Sequence, residues 1–274
     1  MGDVSSNLWS VLVEIWPMAV VFIALALATK RERIIQAIKR SKDEAVTNIL
    51  LFAFNALIAI PLCLAPVLIL EATLRSVRLV SEEAWVGVPH AVTIFLAILV
   101  IDFTAYWRHR FEHSRGMWRF HATHHADTAM HWLSVQRKHP VARLLAFFMD
   151  LTLAWFIGLP VIAIIAAGIL RSWWGYFLHA DVPWTLGAAG SFLMSPAAHR
   201  LHHIRDEELM GHNYGNTVTL WDKLFGTYLD PAPYVNCETG IEEGTRGFLG
   251  ELARPFEKRY RTSKALESTE AKTV

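Results

Sequence analysis

The chain has 274 residues, of which 53% are hydrophobic, and it carries 11 tryptophans. That is more apolar than an ordinary soluble domain, and the apolar residues stand in long runs that read as membrane spans. With 26 basic against 25 acidic residues there is no global field to recruit nucleic acid, and two lone cysteines, Cys63 and Cys237, make neither a disulfide framework nor a metal pattern.

In chain order, the first apolar run, Leu8 to Thr29, lacks a basic start and is too long for a signal peptide, so it is read as a retained span. Pro17 marks a kink or a late start. The run ends in "KRERIIQAIKRSK", residues 30 to 42, a basic stretch that marks the cytoplasmic side. A second span is expected over about Ala45 to Leu70, with Pro61 and Pro66 in its far half. A third, over about Trp85 to Trp107, returns the chain to the cytoplasmic side. About 20 residues cross the hydrocarbon, so His109 and His113 stand just past the membrane. The block Val141 to Leu170 contains Gly158-Leu159-Pro160 and is read as a hairpin, with one arm to Ile157 and the other from Val161 to about Leu178. Arg171 argues against that second arm unless it faces the bundle. The arm is kept because a metal site using both halves of the histidine set needs an even number of crossings between His125 and His199. Beyond Val182 the chain reads as interfacial or soluble. Ser195 and Pro196 open a helix as N-cap and first residue, and the polar tail after about Arg259 reads as disordered.

The fold class expected is all-α: an integral membrane bundle of about four transmembrane helices under a cytoplasmic, histidine-rich di-metal cap. The domains expected are N-terminal transmembrane helices (1–94), a catalytic domain (95–235) and a C-terminal cytoplasmic tail (236–274).

Thirty-four residues from Trp107 to Pro140 hold seven histidines. "HRFEH" sets His109 and His113 at i, i+4. "HATHH" sets His121, His124 and His125 at i, i+3, i+4, and "HRLHH" repeats this with His199, His202 and His203. On a helix such spacings put rings on one side, where they converge on metal without bending the backbone. Eight histidines exceed one ion's needs, so two metals are expected. An all-imidazole set of this size suits iron better than four-coordinate zinc. A pair of irons beside a bilayer implies O₂ chemistry on a lipid chain. His179 is a ninth candidate ligand, and His131, His139 and His212 are left with structural or supporting roles. His90 reads as an ordinary polar residue.

Metal-bound histidine donates its other N–H to an acceptor. Asp102, seven residues before His109 on the same helical stripe, is expected to serve from behind a ligand histidine or against Arg108. Asp127 and Asp181 are weaker candidates. "HRFEH" also matches the inverted zinc-protease signature with Glu112 as base, a reading that leaves six clustered histidines without a role. A histidine-rich metal or electron carrier is the alternative of another class. Polar residues through the depth of the spans would favour it, and the first three spans are mostly apolar.

"DFTAYWRHRFEH", "WRFHATHH", "RKHP", "FLHADVP", "SPAAHRLHHIRD" and "HNYGNTVTLWDKLFGTY" together resemble the fatty acid hydroxylase superfamily, also called the sterol desaturase family, over roughly residues 95 to 230. The resemblance implies an integral-membrane di-iron oxygenase with a cytoplasm-facing site. Its histidine boxes map onto His109 and His113, onto His121, His124 and His125, and onto His199, His202 and His203, with His179 as the additional histidine. It departs at His131 and Asp181, where many members carry Asn. It implies two irons with O₂ as co-substrate, a lipid substrate in the membrane, and hydroxylation of an unactivated C–H bond, with desaturation as the alternative. No fused heme electron carrier is present in this sequence, so electrons are expected from a ferredoxin- or cytochrome-like partner or a reduced pterin. A bacterial inner membrane is the expected location. Trp173, Trp174, Tyr176 and Phe177 are read as interface packing or a lipid path, and Trp221, Asp222, Phe225 and Gly226 as a turn bracing the cap.

Overall fold

The computed structural model describes residues 4–260, with side chains described from Trp16 onward. The disorder expected beyond Arg259 therefore falls almost wholly outside the described residues. Every named element is helical. Among the described residues extended pairing is limited to two isolated bridges, Leu193 with Val218 and Ile204 with Thr239.

Helices α1 (Val4–Lys30) and α2 (Ile34–Phe54) are joined by a three-residue 3₁₀ turn in which Arg31 takes φ +47°. A non-glycine residue in that region breaks the helix, and α1 folds back to touch the far end of α2. A five-residue π-turn, Asn55–Ala59, links α2 to α3 (Ile60–Ser76). Pro61 follows it. Its missing N–H and its ring disturb the ladder one turn earlier, and a widened turn relieves the clash. Asn55 Nδ2 uses the opening to donate to Lys138 O at 2.9 Å.

Helix α4 (His90–Glu112) starts at His90 and ends one residue before His113, which is its C-cap. After α5 (Arg115–His125) comes the expected hairpin, with one change. Its first arm is two short helices, α6 (Pro140–Met149) and α7 (Thr152–Phe156), broken at Asp150, where a continuous helix was expected. Asp150 is held there by Arg108, whose Nε donates to its carboxylate at 2.6 Å. Gly158 makes the turn at φ +65°, and a Cβ there would stand 2.1 Å from Val80 O. The second arm, α8 (Val161–Leu178), packs along α4. Ala97, Ala105, Ala163 and Ala167 are fully buried on these helices, and such small side chains let two membrane helices approach closely.

Among the described residues three helical stretches are long and apolar enough to cross a membrane: Trp16–Ser76, His90–Glu112 and Val161–Leu178. The first spans 61 residues and is bent at Arg31. Beyond α8 lie α9 (Pro196–His202), α10 (Leu220–Leu224) and α11 (Phe248–Ala253). Ser195 caps α9 as expected, its side chain accepting Ala198 N–H at 3.1 Å. Glu251 and Arg254 are fully buried, so the segment around α11 is folded into the cap.

Candidate metal centre

The nine histidines expected as ligands fall into two groups. His109, His113, His121, His125 and His202 form the first, and His124, His179, His199 and His203 the second. Within each, one ring nitrogen per residue lies within 4.8 Å of the others. Every ring but that of the half-buried His113 is buried. The helix periodicity explains the split. Residues i and i+4 are about 40° apart around the axis, whereas i+3 and i+4 are about 100° apart. So 109/113, 121/125 and 199/203 stay together, while His124 and His202 cross to the opposite group.

Five of the outer nitrogens have a partner. In the first group His109 Nδ1–H donates to Tyr214 O at 2.9 Å and His202 Nδ1–H to His212 O at 2.8 Å. His121 Nδ1 lies 3.3 Å from Glu112 Oε2. In the second group His179 Nδ1–H donates to Gly175 O at 2.8 Å and His124 Nδ1–H to Arg137 O at 3.2 Å. A carbonyl can only accept, so the proton of each neutral ring sits on Nδ1 and Nε2 offers a bare lone pair. His202 Nε2 and His109 Nε2 face each other at 3.0 Å. Two lone pairs at that distance repel, and a shared cation makes the same geometry attractive. A proton is a poor substitute, since burial pushes His202 down to about 4 and His179 down to about 3. His125 Nδ1, His199 Nδ1 and both nitrogens of His203 are buried without a partner among the described residues. The donor set therefore fits a pair of metal ions.

These low values give a testable pH dependence. Unfolded histidine titrates near 6.5, while the folded rings stay neutral until about 4 and about 3. Between those limits the unfolded chain binds more protons, so stability rises with pH. Chelator-stripped protein is expected to lose thermal stability steadily from pH 6.5 toward pH 4. A melting temperature independent of pH over that range would contradict the buried, neutral rings.

The carboxylate behind the site is Glu112, which sequence reasoning weighed only as a protease base. It is 2% exposed and receives Arg108 Nη1–H at 2.6 Å on the oxygen that faces His121. The signal available was its spacing, four residues after Arg108 and three after His109. Replacing Glu112 with Ala removes the acceptor that orients His121. The expected result is a roughly 10–100-fold loss of metal affinity, read as faster removal of metal by chelator.

Asp102 requires a correction. It touches neither a ligand histidine nor Arg108. It is fully buried, pairs with Arg171 and accepts Val218 N–H at 3.2 Å. The same pairing accounts for Arg171 within α8, which faces the bundle and its counter-charge. Asp102 thus holds the loop that carries Tyr214, two steps from His109. Asp222 holds that loop from the other side, accepting the N–H groups of Tyr214 and Gly215 at 2.7 and 2.8 Å. Phe225 packs on Tyr106 and Trp107, so the turn at 221–226 braces α4.

The remaining candidates lie outside the two groups. Asp127 accepts from Asn48 and Ser134, and Asp181 from Arg200 and Lys30. His131 caps the turn Trp132–Gln136, and His139 caps α6. His212 contributes its carbonyl to His202. Tyr176 is buried with Phe22 and Val182, and Trp174 Nε1 donates to Met194 O at 3.1 Å.

The fatty acid hydroxylase family model matches residues 94–227. Ornithine lipid hydroxylase OlsE of Rhizobium tropici is 28% identical over 175 residues, 63% of this chain and 53% of that protein. Human alkylglycerol monooxygenase is 32% identical over 138 residues, 50% of this chain and 30% of its own length, and the Xenopus tropicalis enzyme of that name is 30% identical over 157, covering 57% and 33%. The chain thus spans about half or less of the length of these relatives. No solved structure matches it. All nine histidines lie within the matched segment, and through it the chain is similar to the fatty acid hydroxylase family.

Proposed function

We propose that the chain is a membrane di-iron oxygenase that hydroxylates an unactivated C–H bond of a lipid. The observation that carries this reading is the pair of histidine groups, nine converging imidazoles, five of them with an outer nitrogen held by a backbone carbonyl or by Glu112. Imidazole donors suit iron, and the relatives are named hydroxylase and monooxygenase, which favours oxygen insertion over desaturation. When bound, two irons would supply O₂ activation at a site held by His109, His113, His121, His125 and His202 on one side and His124, His179, His199 and His203 on the other. The overall reaction takes one O₂, two electrons and two protons, and yields one hydroxyl on the lipid and one water. The chain's own residues keep the rings neutral, hold the orientation of His109, His121, His124, His179 and His202 through Glu112 and backbone carbonyls, and exclude bulk water by burial. Electrons come from a ferredoxin- or cytochrome-like donor, or from a reduced pterin.

In this reading residues 1–94 anchor the protein, 95–235 form the catalytic domain and 236–274 the C-terminal segment. The basic turn between α1 and α2 supports a cytoplasmic site. Lys30 pairs with Asp181, two residues after His179, so positive charge and histidines share one end of the bundle. A bacterial inner membrane suits this arrangement.

The test is lipid mass spectrometry of aerated cells making the intact chain or its His202→Ala form. A lipid class that gains one oxygen only with the intact chain is expected. A class that loses two hydrogens would replace hydroxylation by desaturation, and unchanged lipids with zinc in the purified protein would sink the reading.

A further inference from the structure

A cavity of about 450 Å³ opens between α1, α2 and the segments around Met130 and Asp181. Its lining includes apolar residues, among them Ile23, Leu25, Leu27 and Ile34. It also carries four cations, Lys30, Arg33, Arg40 and Arg200, against one carboxylate, Asp181. Lys30 and Arg200 share that carboxylate at 2.5 Å each. Arg40 donates only to a backbone carbonyl, Thr128 O at 3.3 Å, and Arg33 makes no ion pair among the described residues. The lining thus holds an excess of three positive charges beside an apolar slot at the end of the membrane helices. The cavity is also next to the metal centre. Asp181 follows His179 by two residues and Arg200 follows His199 by one, and consecutive Cα atoms are 3.8 Å apart.

We propose that this cavity holds the negatively charged head of a lipid substrate, with its hydrocarbon chain along the apolar lining beside the second histidine group. This rests on the oxygenase reading above and adds to it a substrate class: lipids whose head bears a phosphate or carboxylate. Charge complementarity selects the head. The apolar lining selects a lipid over a free anion, since a soluble phosphate would leave the exposed Ile23 and Leu27 facing water.

The test uses the full chain in nonionic detergent and native mass spectrometry. It is titrated with dioleoyl phosphatidic acid and, separately, with dioleoyl phosphatidylcholine, which has the same tails and no net charge. The intact chain is expected to retain the acid at least about tenfold more tightly. The double variant Arg33→Gln, Arg40→Gln is expected to lose that preference, since each basic group near an anionic head contributes several-fold, while its iron content matches the parent. The control is Lys39→Gln with Lys42→Gln, which removes two exposed charges from the same helix outside the cavity. It should keep the preference. Equal retention of both lipids, or equal loss in the control, would overturn the proposal by making the effect absent or a matter of surface charge. Binding is read without turnover. Failure of the oxygenase reading therefore removes the oxidised lipid and leaves the preference, and failure of the cavity does the reverse.

Discussion

Alanine in place of His202 is expected to abolish lipid oxidation and to cost the first group its ion. His202 is fully buried, and its Nε2 is the atom closest to His109 Nε2, at 3.0 Å. Losing an outer partner of a metal ligand typically costs roughly 10–100-fold, and losing a ligand from the centre of the group should exceed that. Iron analysis of the purified variant should fall from about two ions per chain toward one, because the second group keeps all four of its histidines and the outer partners of His124 and His179. Lipid product should drop below detection. Full iron loading with normal product would remove His202 from the metal site. Loss of both ions together would mean that the two groups fill as one unit.

The second large effect is on stability, at Arg137. Its guanidinium is fully buried and all five of its N–H donors are engaged. Nε donates to Thr123 O at 2.8 Å, Nη1 to Glu44 at 2.7 Å and Asn48 at 3.2 Å, and Nη2 to Thr245 and Glu251 at 2.7 and 2.6 Å. It ties α2, α5 and the segment around α11 together, and its own carbonyl accepts His124 Nδ1–H. Arg137→Met fills similar volume but strands Glu44, 4% exposed, beside Glu251, fully buried. Breaking a buried pair by removing one partner costs about 3–5 kcal/mol. A strongly lowered melting temperature in detergent is expected, with faster chelator removal of metal from the His124 group. Arg137→Lys should recover only part of this, since one ammonium cannot reach five acceptors. A melting temperature within a degree or two of the parent would show that the network contributes little.

The sequence by itself determined the residue types, and through them the chemistry. Long apolar runs, a turn at Gly158 and histidines at helical spacing follow from local periodicity, so the all-helical fold, the hairpin and all nine histidines are legible without coordinates. Tertiary structure decided which histidine joins which group. The boxes read alike in sequence, yet His124 and His202 leave their neighbours, because a 100° step per residue points them at a different helix. It also decided the partners of buried charge. Asp102 lies on the stripe of His109 but meets Arg171 on α8, 69 positions along the chain, and the carboxylate found behind a histidine of the groups is Glu112, at His121. Arg137 gave no local signal, since its acceptors come from residues 44 to 251. Buried polar groups must find partners. Local spacing fixes which groups exist, and only the packing of distant helices fixes which of them meet.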